Sequence, residues 1–103
     1  MAQVVEKDGE LVLKLSVRER VFSLHANPRA KASDLISTSM ATNPWRRELL
    51  RGFRAPGAAI PFLVLLGTMR FKGGKDFTAI YKRKPVKIYE FSGGEFKRWI
   101  VSQ

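Results

Sequence analysis

The residues of this chain that are best able to do chemistry are its cations, and most of them lie in the middle of the sequence. Residues 42–85 carry ten arginines and lysines against two acids, a net charge of +8 out of the +10 of the whole chain. A field of one sign attracts anionic partners and speeds the encounter with them. We therefore take these ten residues as candidate anion-binding groups: Arg46, Arg47, Arg51, Arg54, Arg70, Lys72, Lys75, Lys82, Arg83 and Lys84.

Aromatic residues are interleaved with these cations, and three of them are candidate contacts: Trp45, Phe53 and Phe71. Cations that contact phosphates, next to rings that stack on unpaired bases, are typical of proteins that bind nucleic acid. The same pattern also arises when the rings lie in the core and the charges are solvated. Four interpretations stay open, namely charge that serves solubility alone, nucleic acid, an anionic membrane surface or lipid headgroup, and an acidic protein.

The cations are densest between residues 45 and 54. An Asn-Pro pair precedes this segment and can begin a helical turn over residues 44–50. In such a turn Arg47, Arg51 and Arg54 would share one side, and an arginine stripe can bind phosphate in a bidentate manner. The alternative is that the tryptophan and leucine of the turn plug one end of the fold while the arginines face solvent.

The residues that catalysis most often uses are scarce. The chain has one histidine, His25, and no cysteine, whereas nucleophilic catalysis needs a nucleophile, a base and an orienting group. Transition-metal sites also draw mainly on histidine and cysteine. The acids stand beside basic residues, as Glu19 does between Arg18 and Arg20, and this predicts solvated ion pairs. We predict a protein that is not an enzyme and that has no cofactor and no metal site.

Length and composition predict a single domain over residues 1–103. The apolar fraction of 45% is typical of a globular protein, and the absence of cysteine fits a reducing compartment. The first residues do not have the pattern of a signal peptide. Two prolines interrupt the longest apolar stretch, residues 55–67, which is too short to span a bilayer. We therefore expect a cytoplasmic protein.

The N-terminal part of the chain predicts a β-hairpin. Asp8-Gly9 separates an apolar pair from an alternating run, which is a strong short-range signal for a tight turn between two strands. The alternation would place Leu11, Leu13 and Leu15 on the core side.

A short helix is predicted directly after this hairpin. Ser16 and Glu19 have the spacing of a capping box, in which the two residues satisfy each other's backbone amides. Val17, Val21 and Leu24 then follow at positions that share one helix face. A strand remains an alternative here, because several of these residues are good strand formers.

The rest of the chain consists of apolar runs separated by Gly, Pro and Asn. Residues 52–61 are predicted to form an irregular loop, and short connections between the last strands favour an antiparallel meander. The predicted strands are residues 34–42, 62–70, 77–82, 86–91 and 95–101. We expect a mainly β protein, with a curled antiparallel sheet or partly open barrel of six or seven strands and one or two short helices.

Two stretches carry a resemblance to a known group of proteins. Residues 45–61 read WRRELLRGFRAPGAAIP, and GGKDF at residues 73–77 is followed by YKRKP at residues 81–85. Over most of its length the chain resembles small uncharacterised proteins of actinobacteria that look like bacterial pleckstrin-homology-like domains. The resemblance implies a curled antiparallel sheet closed by a C-terminal helix, and it brings no known chemistry with it.

The sequence departs from that pattern at its end, because it stops at Gln103, where the closing helix would begin. Either the chain lacks the closing helix, or we expect the open end of the fold to be covered in another way, by a partner chain, by a second copy or by the helix of residues 17–25. The predicted function is a non-enzymatic binding or scaffolding module with an anionic partner, and a homo-oligomer is compatible with it. The alternatives are a nucleic-acid-binding protein and a protein that binds anionic lipid.

Overall fold

A computed structural model of the chain describes residues 3–23, 26–42, 53–60, 64–82 and 84–102, with the backbone alone for Phe22 and residues 53–60. The described residues form a mainly β protein, as predicted. The strands are β1 (Gln3–Lys7), β2 (Glu10–Lys14), β3 (Arg29–Lys31), β4 (Leu35–Ala41), β5 (Phe53–Ile60), β6 (Val64–Phe71), β7 (Gly74–Tyr81), β8 (Val86–Phe91) and β9 (Arg98–Ser102). The helices are α1 (Val17–Ser23) and a 3₁₀ helix (Ala32–Asp34).

The predicted N-terminal hairpin is confirmed. β1 and β2 pair antiparallel and are joined by Asp8 and Gly9, whose φ angles of 54° and 76° suit a turn that matches the twist of the strands. β3 pairs with the other side of β2, which completes a three-stranded sheet. Leu11, Leu13 and Leu15 are buried, as their alternation predicts.

The predicted helix is also confirmed, but the side that faces the core is not the predicted side of Val17 and Val21. The Glu19 N–H donates to Ser16 Oγ at 3.2 Å, and the Ser16 N–H donates to Glu19 Oε1 at 2.8 Å, so the capping box is formed. Val17 and Val21 are 67% and 59% exposed, whereas Glu19 and Ser23 are buried. The prediction of a solvated Glu19 was therefore wrong. Leu24 and His25 lie outside the described residues.

The second sheet has six strands in the order β4-β8-β9-β7-β6-β5. β6 and β7 form a hairpin, and β8 and β9 pair antiparallel, as expected. The predicted meander fails between them, because β9 lies between β7 and β8 and runs parallel to β7. This position places Trp99 and Ile100 in the middle of the sheet, where each is buried in the apolar cluster of one face.

Residues 53–60, predicted as an irregular loop, form the edge strand β5 instead. The pairing of β5 with β6 shifts register between Arg54 and Gly57, which is where Pro56 lies. A proline is tolerated on an edge strand and at a bulge, because it then removes no hydrogen bond from the ladder. The apolar run that follows can therefore pair despite the proline.

Both faces of the larger sheet are apolar. On one face, Leu11 and Leu13 of the small sheet pack in a cluster with Leu66, Phe77 and Trp99. The other face carries a separate cluster of buried residues: Leu65, Met69, Ile80, Val86 and Ile100. In the described ranges β4 and β5 remain the two edges, so the sheet does not close into a barrel, and there are two sheets where one was predicted. No helix in these ranges is both long enough and apolar enough to cross a membrane.

Candidate anion-binding site at the β6–β7 turn

The structure places only part of the predicted site. Phe53 and Arg54 belong to β5 and are described by their backbone alone. The candidates described with their side chains are Arg70, Phe71, Lys72, Lys75, Lys82 and Lys84. The remaining candidates, together with the predicted helical turn over residues 44–50, lie outside the described residues: Trp45, Arg46, Arg47, Arg51 and Arg83.

The candidate cations that are described with their side chains lie at the two ends of β7. Lys75 stands near the start of this strand and Lys82 directly follows its end. A rise of about 3.3 Å per residue separates their backbones by about 23 Å. We call Arg70, Lys72, Lys75 and Lys97 the turn end, and Lys82, Lys84 and Lys87 the far end. Cations that are close in the sequence are therefore divided between two surfaces.

The turn end is built on the hairpin of β6 and β7. Arg70 and Lys75 are direct partners in the register, so their side chains start from the same face of the sheet, and Lys72 lies in the turn. Lys75 Nζ lies 3.2 Å from Glu95 Oε2 and 5.2 Å from the centre of the Phe96 ring. The ion pair and the ring hold this ammonium group beside the segment that leads into β9.

Lys97 joins the turn end from the segment before β9, and sequence reasoning missed it. Its N–H donates to the carbonyl of Lys75 at 2.7 Å. Its side chain passes over Gly74, where a Cβ would lie 2.8 Å from Lys97 Cγ. A side chain at position 74 would therefore displace Lys97. The sequence contains a partial signal, the Gly-Gly pair, but nothing in it shows that β9 enters beside β7.

Acids also approach the turn end. Glu95 pairs with Lys75, and the Asp34 carboxylate lies beside Gly93, with Oδ2 3.6 Å from the position of a Cβ there. Glu95 thus neutralises part of the positive charge of the turn end. A partner with several negative charges would meet a surface that is positive on balance but has fixed acids at one side.

A buried ion pair lies directly beneath this surface. Arg98 donates from Nε at 3.0 Å and from Nη2 at 2.7 Å to Asp76 Oδ2. The side chain of Asp76 is 1% exposed and that of Arg98 10% exposed. Because the pair joins β7 to β9, it fixes the positions of Lys75 and Lys97, the neighbours of Asp76 and Arg98 in the sequence.

A second buried acid lies near the far end. Glu19 of α1 accepts a hydrogen bond from the Tyr81 hydroxyl in addition to the one from the Ser16 N–H. Burial, then the hydrogen bond and the charge of Glu19, raise the pKa of Tyr81 above its ordinary value, while Arg18 acts in the opposite sense. The contact ties α1 to the end of β7 and keeps the phenol protonated.

Removal of the Tyr81 hydroxyl should change the stability and its dependence on pH. A raised pKa in the folded state means that this stabilisation is complete below the unfolded value of about 10 and is lost as the pH rises above it. We expect Tyr81→Phe to lower the free energy of unfolding at neutral pH by about 1.5–3 kcal/mol, because a bond to a charged group is lost. We also expect a flatter alkaline branch than in the wild type.

Urea unfolding followed by circular dichroism from neutral to strongly alkaline pH measures both effects. Tyr89→Phe is the matched control, since it removes the phenol hydroxyl of the only other tyrosine in the chain. An alkaline loss of stability as steep in Tyr81→Phe as in the wild type would contradict the role given to this contact.

Compared with known proteins, the chain matches no family model, no curated protein and no solved structure. The resemblance to pleckstrin-homology-like domains therefore stays a prediction. In the described ranges no three histidine, aspartate or glutamate side chains come together in a way that could hold a metal ion.

Proposed function

We propose that the protein is a non-enzymatic binding module that takes an anionic macromolecule at the turn end. The observation that carries this proposal is the direct opposition of Arg70 and Lys75 on one face of the hairpin, with Lys72 in the adjoining turn and the Lys97 side chain over Gly74 at the same end of the sheet. Like charges in directly opposite positions of a sheet cost free energy. Glu95 offsets part of that cost at Lys75, and a bound anion would offset it further, so binding and the local charge pattern support each other.

The engagement of the buried acids supports a role other than catalysis. Glu19 is held by Ser16 and Tyr81, and Asp76 is held by Arg98. A general acid or base has to exchange its proton with a substrate, within hydrogen-bond reach of it. These two carboxylates instead connect elements of the fold, α1 to β7 and β7 to β9.

Among the anionic partners, an acidic protein surface fits the described residues best. Base stacking needs exposed rings, and Phe71, the candidate ring described with its side chain, is only partly exposed. Contacts with carboxylates need only the cations. The pleckstrin-homology-like resemblance also favours a binding role. The cytoplasmic location stays a prediction from the sequence.

A pair of triple variants tests the proposal with the same change of charge at each end. The turn-end triple is Lys72→Gln, Lys75→Gln and Lys97→Gln, and its matched control is Lys82→Gln, Lys84→Gln and Lys87→Gln. We expect the turn-end triple to weaken the binding of fluorescent polyglutamate at low salt by about tenfold or more, and the control to change it by less than about threefold. Fluorescence anisotropy across a salt series measures both.

Two further probes separate the partner classes. A single-stranded oligonucleotide that binds more tightly than polyglutamate, with a steep fall of affinity with salt, would replace the acidic protein by nucleic acid. Sedimentation with acidic but not neutral vesicles would replace it by lipid. Equal losses in the two triples would attribute binding to net charge, and would contradict the assignment to the turn end. No binding of any probe at low salt would overturn the proposed function.

A further inference from the structure

Among the residues that the structure describes, β4 is an edge strand without the usual protection against pairing. Edge strands of soluble proteins typically carry a charged residue or a proline, or are covered. The sequence of β4 is LISTSMA, with neither a charge nor a proline, and residues 36–40 are all exposed. Ile36 and Met40 are 64% and 60% exposed. A strand with these properties is a template for pairing with another strand.

The available part of this edge is regular. The pairing of β4 with β8 shifts register between Leu35 and Ser37, so a bulge protects the beginning of the strand. From Ser37 to Ala41 each residue has one partner on β8, without interruption. The open side of this five-residue stretch can accept one further strand.

We propose that β4 pairs antiparallel with β4 of a second copy of the chain, about a two-fold axis that passes beside Ser39. In this register Ser39 lies opposite Ser39, Thr38 opposite Met40, and Ser37 opposite Ala41. Opposite residues of an antiparallel pair point to the same face, so the exposed Met40 packs on the Thr38 methyl group. An axis at Thr38 would instead draw the bulged Ile36 into the ladder.

Charge argues against an acidic partner at β4, and symmetry favours a second copy of the chain as the occupant. An acidic partner would be drawn to the cations at the two ends of β7, and β4 offers it none. Two chains of charge +10 repel each other over most of their surface, and the neutral β4 edge is a place where they can approach. A two-fold arrangement also satisfies both edges at once, because the same patch serves on each copy.

The expected dimer is weak and responds to salt. Pairing of one short strand buries less than the roughly 800 Å² per partner that is typical of stable complexes. Association should therefore appear only at high protein concentration. Added salt screens the repulsion between two cationic chains and should strengthen the dimer, whereas it weakens the binding of anions. The two proposals are thus independent and respond to salt in opposite directions.

Two lysine substitutions test the dimer by sedimentation velocity over a concentration series in moderate salt. Ser39→Lys places two ammonium groups side by side at the axis, and we expect it to weaken association by tenfold or more. Ser33→Lys adds the same charge in the exposed part of the 3₁₀ helix, outside β4, and should associate like the wild type. A wild type that stays monomeric throughout, or a Ser39→Lys variant that associates equally well, would overturn the proposal.

Single cysteines test the register, and the chain is suited to this because it has no cysteine of its own. Under mild oxidation at high concentration, Ser39→Cys should form a covalent dimer faster than Ser33→Cys. This second measurement does not depend on the folding of a charged variant. Equal rates for the two cysteines would contradict pairing through β4.

Discussion

Replacement of Asp76 by alanine is expected to lower the free energy of unfolding by about 3–5 kcal/mol, because it leaves the buried Arg98 guanidinium without its carboxylate. Both nitrogens that Arg98 directs at this group lie within 3.0 Å of Asp76 Oδ2. The pair also joins β7 to β9, so its loss should loosen the only parallel step described in the sheet. Urea unfolding followed by circular dichroism measures the effect.

Two further variants show whether burial is the cause. Glu95→Ala breaks the more exposed ion pair with Lys75 and should cost less than about 1 kcal/mol. The double replacement Asp76→Leu with Arg98→Met removes both charges and should recover most of the lost stability. A cost of Asp76→Ala no larger than that of Glu95→Ala would show that the pair is screened like a surface pair.

The elements that the sequence predicts correctly depend on contacts within a few residues. The turn at Asp8-Gly9 and the capping box from Ser16 to Glu19 each form from neighbouring groups, so local chemistry is enough to predict them. β8 begins directly after Pro85 and ends at Phe91, as predicted, because turn residues limit it on both sides. These signals do not depend on the arrangement of the rest of the chain.

The errors concern pairing between distant residues. Residues 95–101 by themselves do not predict that β9 pairs with both β7 and β8, since this pairing depends on the arrangement of the whole sheet. Likewise, Pro56 considered by itself indicates a loop. Residues 53–60 form a strand because they pair with β6 at the edge of the sheet, where a proline is tolerated. The prediction that Val17 and Val21 face the core was wrong for the same reason. The helix instead directs Glu19 toward Tyr81, a residue that is distant in the sequence.

The candidate site shows the same division. Arg70, Lys72 and Lys75 are close in the sequence and lie around one turn, so the sequence is enough to predict that they are neighbours. Lys97 meets them only through the placement of β9. Lys82 is also close to them in the sequence, which predicts the same site. It lies at the opposite end of the sheet, because the whole length of β7 separates it from Lys75.

Trp99 should be the most sensitive single position of the core. It is fully buried, its ring centre lies 4.7 Å from that of Phe91 and 6.2 Å from that of Tyr89, and it stands opposite Phe77 on β7. Trp99→Ala should therefore cost about 3–5 kcal/mol, from lost burial and the cavity that remains. Chemical denaturation of the variant against the wild type measures it.

Trp99→Phe distinguishes the contribution of ring packing to stability from that of the indole nitrogen. Within the described residues the indole Nε1 has no hydrogen-bond partner, so phenylalanine loses no hydrogen bond and removes a buried donor whose desolvation is unfavourable. We expect this variant to lose less than about half as much stability as Trp99→Ala. The exposed Val21→Ala should change stability by only about 0.5 kcal/mol or less. Equal losses in the two Trp99 variants would mean that the indole nitrogen does contribute a bond, and that β9 is held in the sheet by more than the packing of its rings.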